Sequence, residues 1–248
     1  MAYERKFGVS GFSLKIIACI AMLIDHIGAV VVLVGVGSKN LASLGPNIML
    51  YYYSRMIGRI AFPIFAFLVV EGFVHTRDIK KYALRMLIFS LISQIPYNLA
   101  FGNRIFYTER FLPAFIFGNV MWTFLLGILM MKMIKFIEEK GLNVIVKYLG
   151  YVLALLVFGG IAYLVRCDRN FWGIFVIWGF YIFRGSRILQ ILSSIATFRD
   201  QAITAHLSLI PIALYNGKRG RDIKYFFYVF YPVHLIVLYF IRLYLFNG

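Results

Sequence analysis

Residues 12–36 read FSLKIIACIAMLIDHIGAVVVLVGV, and within them Lys15, Asp25 and His26 are the sole basic or acidic side chains. As a helix this stretch is about 37 Å long at 1.5 Å per residue, enough to cross a hydrocarbon core of about 30 Å. It is too long for the apolar part of a signal peptide and lacks a small-x-small cleavage site, so it predicts a retained first membrane helix. The same texture continues along the chain. The 248 residues are 62% hydrophobic and 15% charged, whereas an ordinary soluble domain is about half apolar and about a quarter charged. Further apolar spans are predicted at roughly 56–75, 82–101, 112–134, 144–165, 171–184, 187–216 and 223–245. The expected fold is an all-α polytopic membrane protein, a single bundle of about 8–10 transmembrane helices forming one domain over 1–248.

The formal charge of +16 sits in short loops between spans. That is the pattern of cytoplasmic loops enriched in Lys and Arg rather than of a nucleic-acid-binding face. With the N-terminus cytoplasmic, Arg77, Lys80, Lys81 and Arg85 fall inside, as do Lys132, Lys135, Lys140, Lys147, Arg184 and Arg187. Lys39, Arg55, Arg104, Arg110, Arg166 and Arg169 fall outside. The basic loop Lys218-Arg219-Gly220-Arg221 is expected inside if the 187–216 region is broken around Arg199-Asp200 and Pro211. The stretch from Val36 to Arg55 reads as a loop, and Tyr51-Tyr52-Tyr53 as part of an interfacial aromatic belt. Cys19 and Cys167 imply neither a disulfide framework nor a zinc site.

Ionisable side chains inside apolar spans are expensive, about 2.5–3.5 kcal/mol each at a helix centre, and therefore informative. Asp25 and His26 sit in the middle of the first span. Adjacent residues point about 100° apart, so both can face the bundle while each meets a different helix. A carboxylate beside an imidazole suits a general base. Glu71 and His75 are four apart, hence on one helix face, where they can relay a proton or hold an amine. Arg59 on the same predicted helix either pairs with a buried acid such as Asp25 or binds an oxygen of the substrate. His234 lies within the last span beside Pro232. Asn98, Asn119 and Gln94 are weaker candidates, because amides also join membrane helices. The loop Tyr215-Asn216-Gly217-Lys218-Arg219-Gly220 combines glycines, cations and an amide, as phosphate recognition requires. No metal-ligand spacing is present.

Met22-Leu23-Ile24-Asp25-His26-Ile27-Gly28 resembles the opening of the TraX family. So do Gly58-Arg59-Ile60-Ala61-Phe62-Pro63, Glu71-Gly72-Phe73-Val74-His75-Thr76-Arg77, Gln94-Ile95-Pro96-Tyr97-Asn98 and Gly118-Asn119-Val120. Leu214-Tyr215-Asn216-Gly217-Lys218-Arg219-Gly220 and Phe230-Tyr231-Pro232-Val233-His234-Leu235 complete the series, while 144–200 matches less closely. The resemblance implies a membrane acetyltransferase like the one that N-acetylates pilin in the inner membrane. Its terminal motif is also distantly similar to membrane acyltransferases of the acyltransferase-3 type. On that basis acetyl-CoA is the donor, with Asn216, Lys218, Arg219, Arg221 and Arg77 near its phosphates. His26 acts as base or acetyl carrier, tuned by Asp25, and Glu71 and His234 share the catalytic work. Arg59, His75, Asn98, Asn119 and Tyr231 face the substrate. The acceptor is a peptide amino terminus, a sugar or a lipid. A proton-coupled transporter or export factor for an acyl or peptide substrate is the alternative, since buried ionisable groups mark carriers too; the paired halves common in carriers are not evident. A structural subunit has no need of His26, Glu71 and His234 in apolar spans.

Overall fold

A computed structural model describes residues 7–34, 45, 47–101, 118–198, 203–221 and 224–246. The start of the expected 112–134 span, most of the loop before Ile48 and the Arg199-Asp200 interruption lie outside the described residues.

Ten α-helices make up nearly all of the described chain. They are α1 (Gly11–His26, continuing as a π-helix over Ile27–Val34), α2 (Ile48–Gly58), α3 (Ala61–His75), α4 (Ile79–Ala100) and α5 (Val120–Glu139). Then come α6 (Val144–Leu164), α7 (Asn170–Ile182), α8 (Arg187–Thr197), α9 (Leu209–Ala213, preceded by a 3₁₀ turn at Ile203–Ser208) and α10 (Lys224–Phe246). Among the described residues, five stretches are long and apolar enough to cross a membrane: Gly11–Leu33, Ile48–His75, Val120–Glu139, Val144–Leu164 and Tyr225–Phe246. The chain is an all-helical, multi-pass membrane protein. Among the described residues fewer helices than the expected spans meet both the length and the hydropathy of a crossing, because 171–184 and 187–216 form short segments and α4, though 22 residues long, carries Ser90, Ser93, Gln94 and Asn98. The stretch read as a loop up to Arg55 is helical from Ile48. A turn at Arg59 and Ile60 separates α2 from α3. Pro63, which has no N–H to offer the Arg59 carbonyl, falls just where that break requires it.

The chain forms two compact units: Met1–Phe65 with Ile95–Ile105 and Gln201–Gly248, and Ala66–Gln94 with Phe106–Asp200. In the first, α1 packs on α2 through small residues. A Cβ on Gly28 would overlap Ser54, so the backbones meet at the distance only glycine permits, as is common between membrane helices. The loop after α9 returns to the start of α1. Gly11 and Phe12 N–H donate to the carbonyls of Lys218 (2.8 Å) and Arg219 (3.0 Å), and Val9 pairs with Tyr215 in a short parallel bridge. The basic loop thus lies on the same side as the N-terminal segment. Gly217 and Gly220 hold positive φ of 79° and 72°, which glycine adopts without strain. At the far end of α10, the Arg242 guanidinium donates to the carbonyls of Ala100 (2.7 Å) and Leu99 (3.2 Å), closing the C-terminus of α4.

The second unit buries several polar side chains within its apolar core and leaves many apolar ones exposed. Asn119 caps α5 through Met121 N–H and donates to the Ser90 carbonyl and Gln94 Oε1, which also accepts from the Trp122 indole. On α8, Gln190, Ser194 and Thr197 are buried while Ile188, Leu192 and Ile195 are exposed. This inversion suits a lipid solvent, where backbone and amide groups must be satisfied internally and leucine costs nothing outside. α6 is the least buried of the five long apolar stretches described, with 22% of its most apolar window buried. Between α6 and α7 the Thr123 hydroxyl holds the Asp168 carbonyl at 2.5 Å, and Asp168 pairs with Arg169. Burial pushes the Cys167 thiol in this turn up to about 12.

Asp78 caps the start of α4, its Oδ1 accepting Lys81 N–H at 3.0 Å. This bond holds the carboxyl below its usual range. The charged cap therefore contributes above the ordinary carboxylate pKa and is lost as pH falls through the lowered one. Asp78→Ala is expected to lower the thermal midpoint while Asp78→Asn largely preserves it, because both Asp and Asn accept the capping bond. An equal loss in both would show that the carboxylate acts through its charge and not through the capping bond.

Candidate functional site

The ionisable cluster of the first unit starts where α1 changes pitch. The α-helix ends at His26 and continues as a π-helix, a widening found frequently at functional positions. Asp25 and His26 diverge there, as their spacing requires. Asp25 turns to α2. Its Oδ2 receives Arg55 NH1 at 2.5 Å, and its side chain occupies the space over Gly58, where a Cβ would overlap it. His26 turns to α10, its Nδ1 lying 2.7 Å from His234 Nε2. The two imidazoles are parallel within 3° at 5.0 Å between centroids.

The hydrogen-bond partners assign the tautomers. His234 Nδ1 is 2.8 Å from the Phe230 carbonyl. A carbonyl only accepts, so this nitrogen carries a proton. In the neutral ring Nε2 is then an acceptor, and His26 must donate to it from Nδ1. His26 Nε2 is left as the nitrogen that can take up a proton, and Asp25 Oδ2 stands 4.0 Å from it. The line from Arg55 through Asp25, His26 and His234 to the α10 backbone therefore fixes which atom is basic and places a negative charge beside it.

The walls are aromatic. Phe101 meets His26 edge-on at 5.5 Å, Phe230 stacks on His234 at 4.9 Å, and the Tyr231 ring lies 6.4 and 5.7 Å from the two imidazoles. Asp25 is 9% exposed and His234 5%, so these charges and dipoles act in a low-dielectric setting. Gly58→Ala is expected to push Asp25 out of line and cost about 1–3 kcal/mol by overpacking, read by thermal unfolding in detergent. Wild-type stability in that variant would mean that the α1–α2 contact relaxes freely.

Of the residues singled out from sequence, Asp25, His26, His234 and Tyr231 converge here. Arg59 sits in the α2–α3 break and the buried Asn98 on α4, both in this unit. Glu71 and His75 belong to the second unit. They share a face as expected, with Oε2 to Nδ1 at 3.9 Å, and His75 Nδ1 donates to the Glu71 carbonyl at 2.8 Å. Asn119 also lies in the second unit, bound up in the α4–α5 network, and Arg77 is exposed there. In the basic loop the Asn216 side chain accepts Lys218 N–H and donates to the Gly8 carbonyl, while Lys218, Arg219 and Arg221 are exposed. Sequence reading missed Arg55, which it placed in an outer loop, and Gly58. Their three-residue spacing, which puts both on one helix face, was the available signal.

A multi-pass helical membrane protein with a paired-histidine centre between its first and last long helices is the class these features define. The chain belongs to the TraX family, whose model, described as TraX protein, matches residues 10–242. It is also 29% identical to a protein named "Probable fimbrial assembly protein FimC, serogroup H1" from Dichelobacter nodosus, over 95% of this chain and 96% of that one. No solved structure matches.

Proposed function

We propose that this protein is an acetyltransferase of the cytoplasmic (inner) membrane that moves an acetyl group from acetyl-CoA to the amino group of a peptide N-terminus. The observation that carries the reading is the assigned tautomer of His26, a basic Nε2 in a buried aromatic setting with Asp25 at 4.0 Å. The FimC relative, named for fimbrial assembly, favours a fimbrial subunit as acceptor.

In this reading the neutral acceptor amine attacks the thioester carbonyl, and a C–N bond forms as the C–S bond breaks. His26 Nε2 takes the proton that the attacking nitrogen sheds and returns it to the leaving thiolate, so the products are the N-acetyl peptide and free CoA. Asp25 and Arg55 orient and balance the imidazolium. The exposed Lys218, Arg219 and Arg221 offer the donor's phosphates cations on the N-terminal side.

The test is purified protein in detergent with acetyl-CoA and a peptide copying a fimbrial subunit's amino terminus. Expected results are donor-dependent thermal stabilisation, release of CoA thiol and an acetylated peptide by mass spectrometry. Well-folded protein that neither binds acetyl-CoA nor transfers to the peptide would overturn the proposal.

A further inference from the structure

The second unit contains a cavity of about 670 Å³, within the range of small-molecule sites, about 300–1,000 Å³. Its chemistry-bearing walls are Glu138, Lys147, Tyr148, Tyr151, Trp178 and Arg184. They come from the C-terminal ends of α5 and α7 and the N-terminal end of α6. Ser186 and Leu189 close the cavity from the start of α8. All four helix ends lie at the side that carries Lys132, Lys135, Lys140 and Lys147, the signature of the cytoplasmic leaflet.

Two of the three charges are already matched. Arg184 NH2 binds both Glu138 oxygens, at 2.7 and 2.9 Å, and its NH1 donates to the Tyr181 carbonyl. The Tyr151 hydroxyl donates to the same carboxylate at 3.1 Å. Lys147 has its ammonium 5.9 Å above the Tyr151 ring and joins no carboxylate among the described residues. The wall thus keeps one net positive charge. No heavy atom lies within 4 Å of where a Cβ on Gly185 would stand, so the rim is open there. Beside it the surface is apolar: Leu149, Val152, Leu153 and Leu156 on α6 and Leu189 and Leu192 on α8 are all exposed.

The geometry points to a binding site for an acidic glycerophospholipid. Its single phosphodiester charge lies against Lys147 and Arg184, its headgroup rests on Tyr148 and Trp178, and its acyl chains follow the exposed face of α6. Basic pockets between helices on the cytoplasmic side hold anionic headgroups in this way, and aromatic side chains settle at the same depth. A donor nucleotide with several phosphates fits poorly, because one unmatched lysine offsets one charge and Glu138 repels the rest. The site is independent of the histidine pair and of the reading given to it.

The test is the full chain in nanodiscs of phosphatidylcholine with or without phosphatidylglycerol, reading lipid retained by native mass spectrometry together with the thermal midpoint. Phosphatidylglycerol should be retained about fivefold over phosphatidylcholine, the factor expected of one basic residue near the surface. Lys147→Gln should abolish the preference. Gly185→Leu, which fills the open rim without touching charge, should lower retention of phosphatidylglycerol and serves as a second variant if Lys147→Gln fails to fold. Equal retention of the two lipids, or a preference that survives both variants, would overturn the assignment. Competition by soluble glycerol phosphate or CoA at the same concentration would overturn it too, reassigning the cavity to a free phosphate compound.

Discussion

Arg55→Leu is expected to destabilise the folded protein by about 3–5 kcal/mol, and adding Asp25→Leu in the same chain is expected to restore most of that loss. The single variant takes a guanidinium away from a carboxylate 2.5 Å distant in the middle of an apolar span. The carboxylate then keeps its charge at a desolvation cost or takes up a proton and loses its role. The double variant removes both members, and leucine at both positions suits the buried α1–α2 contact. Gly58 limits the fit, since its missing Cβ is what admits Asp25, and the longer, branched leucine must find room in the same space. Reversible unfolding in mixed micelles measures both variants. A double variant as unstable as Arg55→Leu would show that the pair does not act as a unit. Acetyl transfer separates stability from function: the double variant should regain stability and stay inactive, because the charge beside His26 Nε2 is gone.

The membrane character was legible because lipid imposes a length, about 20 apolar residues per crossing, and runs such as 12–36 or 144–165 meet it without tertiary help. Which helices are long and apolar enough to cross by themselves was less legible. α7 and α8, at 13 and 11 residues, are too short to span alone, and α4 buries its serines and amides, so its average hydropathy misleads. Residues 48–55 read as a loop because Tyr51-Tyr52-Tyr53, Ser54 and Arg55 lower hydropathy as an interfacial segment does. In the folded chain Ser54 is buried and Tyr52 and Tyr53 are exposed, so the stretch is an amphipathic helix whose inner face is the polar one.

The site was half legible for a related reason. An aspartate and a histidine in an apolar span announce themselves by their cost, and so does His234. That His26 and His234 bond to each other follows from a contact across 208 positions, which no local pattern contains. The 215–220 loop shows the opposite limit. Its glycines and amide suit an anion, yet they also let the loop lay its carbonyls on the first amides of α1. Close backbone approach is common to both uses, and spacing alone does not separate them.

His26→Gln is expected to lower acetyl transfer by about 10²–10⁴-fold, the usual worth of a positioned general base, while His234→Gln stays within about tenfold of wild type. The asymmetry comes from the tautomers. His26 supplies the atom that takes the proton, and no amide replaces it. His234 supplies an acceptor for His26 Nδ1–H, and a glutamine oxygen can accept the same bond. His234→Leu removes that acceptor, frees the other tautomer and should fall between the two, with the loss in kcat rather than KM because the donor and acceptor contacts are untouched. Initial rates at saturating acetyl-CoA and peptide for the three variants, each checked for wild-type thermal stability, decide the matter. Equal, large losses in His26→Gln and His234→Gln would mean that the proton travels through both rings, and that the α10 histidine is a catalytic member of a relay rather than the group that positions its neighbour.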